Sequence, residues 1–195
     1  MQTQERINGK DLINIGIYAA IYCVVMTAVA MIGFIPVCMP LLAMICPLVG
    51  GITMMLFYTK VKKFGMITIM STIIGLFLMV TGMGVWPAVF GFVFGLLADF
   101  IAKSGGYASA KKCTLSYATM CLTIFGNYIP LYLNIDEYFS TRQSFAGTDY
   151  VTTLASIMQP WTAPLIFVAC FAFGALGAVL GQKLLKKHFE KAGVA

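Results

Sequence analysis

The chain has 195 residues, 60% of them hydrophobic and only 10% charged, where an ordinary soluble domain carries about a quarter charged. That balance excludes a water-soluble globular fold, and continuous apolar runs of about 20 residues exclude the short alternating segments of a membrane β-barrel. The net charge of +6 lies in short clusters between the apolar runs, a pattern of membrane topology and not of a nucleic-acid-binding face.

Six spans are read in chain order, giving an all-α integral membrane bundle in a single domain, 1–195. The first, about 11–33, opens at "DLINIGIYAAIYC" behind Arg6 and Lys10. Its "AVA" at 28–30 resembles a signal-peptide cleavage site. The run is long for a signal sequence, however, and further spans follow it, so a retained helix is expected. The second (about 38–59) and third (about 64–81) are joined by "KVKK". The fourth, about 85–102, begins at Trp86-Pro87, contains Asp99, and is followed by Lys103 in "KSGGYASAKK". The fifth covers about 113–133 and the sixth about 160–187, ahead of a basic tail. Between them, 134–159 carries Asp136, Glu137 and Asp149 against Arg142, and its "DYVTTLASIM" reads as a short interfacial helix.

Basic residues set the expected orientation. With the N-terminus inside, twelve of the thirteen lysines and arginines fall on the cytoplasmic side and only Arg142 falls outside. Both termini are therefore expected in the cytoplasm and 134–159 outside the cell.

Catalytic chemistry finds little support. The single histidine, His188, sits in the tail, which leaves no Ser-His or Cys-His pair within the membrane. There is no H-E-x-x-H and no Walker A sequence, so the chain is read as a non-enzyme that cannot power transport alone. Six cysteines lie mostly within apolar runs without a C-x-x-C, and thirteen methionines spread over every span. Both are read as packing material, with no metal or cofactor expected.

What remains is recognition. At the outer ends of the spans stand Trp86, Asn127, Tyr128, Tyr132, Gln159, Trp161 and Thr162, several beside a proline. Broken helix ends are tolerated where they line a cavity. For Trp86, Tyr132 and Trp161 the alternative is the ordinary interfacial belt; for Asn127 it is a hydrogen bond between helices. Small residues mark close helix contacts: Gly16 and Ala20, with Ala19, Cys23 and Thr27, in span one; Gly91 and Gly95 in span four; Gly174, Ala178 and Gly181, with Gly177 beside them, in span six.

Asp99 is the only acid deep within a span. At about 1.5 Å per residue it lies roughly 20 Å from Trp86, near the cytoplasmic end. Its spacing of four from Gly95 and Gly91 turns it toward protein. It is read as an anchor to the inner loops, paired with Lys103 or with Lys60, Lys62 or Lys63. A contact that changes when a partner docks, and a direct role with substrate, are the alternatives.

The segments "LINIGIYAAIYC", "VKKFGMITIM", "FGLLADFIAKSGGY" and "GQKLLKKHFEKAGVA" together resemble the Trep_Strep family, substrate-binding (S) subunits of energy-coupling factor (ECF) transporters, over essentially the whole chain. The resemblance implies a bacterial cytoplasmic-membrane subunit whose pocket, open to the outside, takes a micronutrient: a vitamin-like compound, haem or a similar small molecule. It further implies a transmembrane coupling subunit and two cytoplasmic ATPases as partners. Docking to the coupling subunit would use the small-residue face Gly16, Ala19, Ala20 and Cys23, which departs from the alanine-x-x-x-alanine form common among relatives. Transport would proceed by reorientation of the subunit in the bilayer. A scaffold that binds only other membrane proteins is the competing reading.

Overall fold

The computed structural model describes residues 7–133, 138, 140 and 147–191, with the side chains of 187–191 outside the description. Arg6, Asp136, Glu137 and Arg142 lie outside the described residues, as does the side chain of His188. All regular structure among the described residues is helical.

Helix α1 (Gly9–Ala30) starts on a reciprocal cap. Asn8 Oδ1 accepts from the Asp11 N–H at 3.0 Å, and the Asp11 carboxylate accepts from the Asn8 N–H at 2.9 Å, satisfying two orphan donors. Asp11 also takes Lys63 Nζ at 2.8 Å, fastening the start of α1 to the second loop. The helix is apolar all round. Ile15, Ala19 and Tyr22 turn inward, while Leu12, Ile13, Ile17, Ile21 and Val24 remain exposed, as befits a lipid-facing surface. Two 3₁₀ turns, Met31–Phe34 and Pro36–Cys38, lead into α2 (Leu42–Tyr58).

Helix α3 (Met66–Leu78) continues through a π turn, Met79–Met83, before α4 (Trp86–Ser104). The predicted fifth span is not one continuous helix. It divides into α5 (Ala110–Met120), a 3₁₀ stretch over Cys121–Asn127, and the short α6 (Ile129–Leu133). Pro130 has no N–H to return to the Gly126 carbonyl, which weakens an α-helix at this point. Amphipathic α7 (Thr148–Ile157) falls where "DYVTTLASIM" predicts a helix, and α8 (Thr162–Lys191) completes the chain.

Among the described residues, four segments are both long and apolar enough to cross a membrane: Gly9–Phe34, Met66–Met83, Trp86–Ser104 and Thr162–Lys186. Helix α2 is a shorter apolar helix containing Pro47, and the fifth segment is broken. Four of the six expected spans thus coincide with segments of sufficient length and apolarity, while the second is a shorter helix and the fifth is broken.

Bare backbone makes the closest contacts. A Cβ at Gly51 of α2 would run into the main chain of Gly177 on α8, so these helices meet with no side chain between them. On α4, a Cβ at Gly91 would come 2.6 Å from the Ser71 carbonyl oxygen, and one at Gly95 2.7 Å from Ser71 Cβ, so the G-x-x-x-G face is the seam with α3. The small residues of span six divide, with Gly174 against α5 and the following 3₁₀ turn, and Gly177 and Gly181 against α2. The core forms two clusters. One, around Tyr22, Met54, Phe57, Met66 and Tyr117, belongs to the end that carries the loop lysines. The other, around Met39, Tyr128, Leu131, Leu154 and Ile166, belongs to the opposite end, where α7 packs on the 3₁₀ turn at Pro36–Cys38.

Candidate functional site: an apolar cavity at the end opposite the lysines

Helices α1, α2 and α3 and the broken segment after α5 leave a cavity of about 230 Å³ between them. Its wall comes from the second half of α1 (Tyr22 to Ala30), the start of α2, the end of α3 with its π turn, and Tyr117 to Tyr128. Among the described residues, no Asp, Glu, Lys, Arg or His lines it. Sulfur is prominent: Cys23, Cys46 and Cys121, with Met26, Met39, Met83 and Met120, all face the space. The cysteines are free thiols, and among the described residues no three His, Cys, Asp or Glu side chains are placed to hold a metal ion.

The wall's polar groups are mostly already engaged. Tyr117 donates to the Pro47 carbonyl at 2.8 Å and Tyr128 to the Met39 carbonyl at 2.9 Å. Thr27 and Thr81 donate to the Cys23 and Leu78 carbonyls of their own helices, and Thr123 Oγ1 lies 3.3 Å from Ser71 Oγ. Asn127 differs. Its Oδ1 is buried and has no hydrogen-bond partner. An amide oxygen withdrawn from water without a donor costs about 1–3 kcal/mol. The break in the fifth segment puts it there, since Asn127 ends the 3₁₀ stretch just ahead of Tyr128 and Pro130.

Of the residues singled out from sequence, Asn127 and Tyr128 line the cavity. Trp86, Tyr132, Gln159 and Trp161 do not. Trp86 is half-buried at the first turn of α4, whose Pro87 backbone packs against Gly126. Tyr132 Oη lies 2.8 Å from Thr162 Oγ1, which donates to the Gln159 carbonyl at 2.6 Å, so these three form a surface group at the start of α8. Trp161 beside them is 66% exposed. An outer-end position in sequence does not separate a wall residue from a rim residue.

The small-residue face of α1 also divides. Gly16 and Ala20 are exposed, and a Cβ on Gly16 would meet nothing within 4 Å. Ala19 is buried in the core and Cys23 lines the cavity. The four share an arc of about 100° on the helix, and in this fold its Ala19–Cys23 side turns inward while its Gly16–Ala20 side stays exposed.

Asp99 lies far from this space. It is 0% exposed and its carboxylate accepts four hydrogen bonds. Three reach Oδ2, from the Gly65 N–H (2.8 Å), the Thr68 N–H (3.1 Å) and the Thr68 hydroxyl (2.9 Å). The fourth runs from Tyr107 Oη to Oδ1 at 3.1 Å. Asp99 thus caps the N-terminus of α3 from a neighbouring helix, where a negative charge meets the free N–H groups and the positive end of the dipole. Gly65 turns into α3 with φ 98°, a left-handed value that suits glycine. Tyr107 itself has φ 57° and turns its ring back to Asp99. Burial and the adjacent carboxylate push its phenol above the ordinary value, which keeps it a donor. None of the expected lysines pairs with Asp99. Lys103 Nζ instead lies 5.0 Å over the Phe64 ring, and Lys63 holds Asp11. Its partners are two backbone N–H groups and two hydroxyls, not a cation.

Apolar helices with exposed hydrophobic faces, packed on bare backbone around an uncharged cavity, define a multi-pass integral membrane protein. The chain belongs to the Trep_Strep family, described as a hypothetical bacterial integral membrane protein, whose model matches residues 9–191. Comparison with curated proteins and with solved structures gave no significant match.

Proposed function

We propose that this protein is the substrate-binding subunit of an ECF-type importer, taking a small micronutrient from outside the cell and passing it inward with a coupling subunit and two ATPases. One observation carries the reading: the cavity lies at the end opposite Lys60, Lys62, Lys63, Lys103, Lys111 and Lys112. With basic loops retained in the cytoplasm, that end faces outward. The chain itself is then non-catalytic, and both termini are cytoplasmic. Gly16 and Ala20, bare among exposed isoleucines, are the part of the α1 face left for the coupling subunit.

The test is reconstitution in a host lacking the transporter. Uptake should need the coupling subunit, both ATPases and this chain together, and the chain should co-purify with the coupling subunit. Absence of co-purification and of energy-dependent uptake overturns the reading. The exposed Gly16–Ala20 face equally suits a scaffold that binds only membrane proteins. That alternative requires uptake and binding to be indifferent to Asn127.

A further inference from the structure

The geometry points to the chemical class of the ligand: an uncharged, largely apolar, fused-ring molecule that donates one hydrogen bond to Asn127 Oδ1. The inference rests on reading the cavity as a ligand site, and three observations narrow its occupant. First, among the described residues no Asp, Glu, Lys, Arg or His lines the wall, so an ionic ligand would be stripped of water with no countercharge there. Second, the Tyr117, Tyr128, Thr27 and Thr81 hydroxyl protons are spent on backbone carbonyls, which leaves the Asn127 amide as the wall group open to a ligand. Third, the Asn127 oxygen is buried and unpartnered, and a ligand N–H or O–H would satisfy it.

Size and surface agree. The volume of about 230 Å³ exceeds the roughly 150 Å³ that accommodates a benzene in a dry cavity, leaving room for fused rings. Thioethers and thiols around the space favour aromatic edges, since sulfur–ring contacts are attractive at about 5 Å. A tightly held sugar, nucleotide or free carboxylate does not suit this wall.

Three probes share one skeleton and isolate each requirement: carbazole, with a ring N–H; dibenzofuran, with an oxygen in its place; and carbazole-3-carboxylate, which adds a charge. The purified protein in lipid nanodiscs is treated with N-ethylmaleimide, and alkylation of Cys23 and Cys46 is followed by mass spectrometry. Cys38, half-buried but outside the cavity wall, is the internal control. Carbazole should protect Cys23 and Cys46 at about tenfold lower concentration than dibenzofuran, the difference one buried hydrogen bond makes. The carboxylate should not protect, and in Asn127→Leu the carbazole advantage should fall to about onefold. Equal protection by the two neutral probes in the wild-type protein, a preference for dibenzofuran, best protection by the carboxylate, or protection by none overturns the inference. The wild-type comparison stands even if the variant fails to fold. Loss of the transporter reading would show separately, as no association with a coupling subunit while the carbazole preference remains.

Discussion

Replacing Asp99 tests the structural role its hydrogen bonds imply. Asp99→Asn preserves shape and leaves a carbonyl oxygen able to take the Gly65 N–H, Thr68 N–H and Thr68 hydroxyl, which now reach Oδ2 at 2.8–3.1 Å. Each of these bonds passes from charge-assisted to neutral, a loss of about 1 kcal/mol apiece. Removing the anion from the α3 N-terminus adds about 0.3–1 kcal/mol. Burying a neutral amide in place of a carboxylate returns part of this, so the net cost is about 1–3 kcal/mol. Asp99→Ala leaves the donors unmatched and costs about 3–5 kcal/mol. Tyr107→Phe removes a single donor and costs about 1 kcal/mol. Thermal unfolding of the detergent-solubilised protein, followed by size-exclusion peak height, should rank stability as wild type, Tyr107→Phe, Asp99→Asn, Asp99→Ala. Carbazole protection of Cys23 should persist in Asp99→Asn at temperatures where it is folded. A variant Asp99→Asn that keeps wild-type stability but loses probe binding refutes the reasoning.

Other perturbations follow from the same contacts. Asn127→Leu removes an unpartnered buried oxygen, so the ligand-free protein should be as stable as wild type or more stable by about 1 kcal/mol; a lowered midpoint of thermal unfolding contradicts the orphaned oxygen. Gly51→Val drives two methyl groups into the Gly177 main chain and should cost at least about 3 kcal/mol, seen as loss of the folded peak on size exclusion. Gly16→Leu combined with Ala20→Leu adds bulk where nothing is packed, so the isolated protein should keep its unfolding midpoint while co-purification with a coupling subunit is lost. Unchanged co-purification moves the docking face elsewhere.

The sequence was most informative where spacing is enforced by helical geometry. Gly91, Gly95 and Asp99 repeat every four residues and all three turn into the α3 seam, as that spacing requires. The partners of Asp99 were not legible, because two of its four donors are backbone N–H groups at a helix start that carry no residue signature, and the other two are uncharged hydroxyls. In α1, the apolar surface runs round the whole helix, so a stripe of small residues does not show which members face in. Ala19 and Cys23 consequently separated from Gly16 and Ala20. The break in the fifth segment did leave a trace in "GNYIP", where glycine, asparagine and proline fall within five residues, but an apolar length compatible with a span masked it. The same masking hid the cavity wall of Met120, Cys121 and Ile124, which looks like packing until the helix around it tightens.

The meeting of Gly51 with Gly177 has a consequence for biosynthesis. Helix α8 is made long after α2, yet it fills a groove on that earlier helix. Until then the groove presents bare backbone to lipid, a surface that any other helix with small residues can occupy. The bundle therefore cannot close in the order in which it is inserted. A chain stopped before α8 carries an open, adhesive seam, whereas a chain that has made α8 covers it in one step.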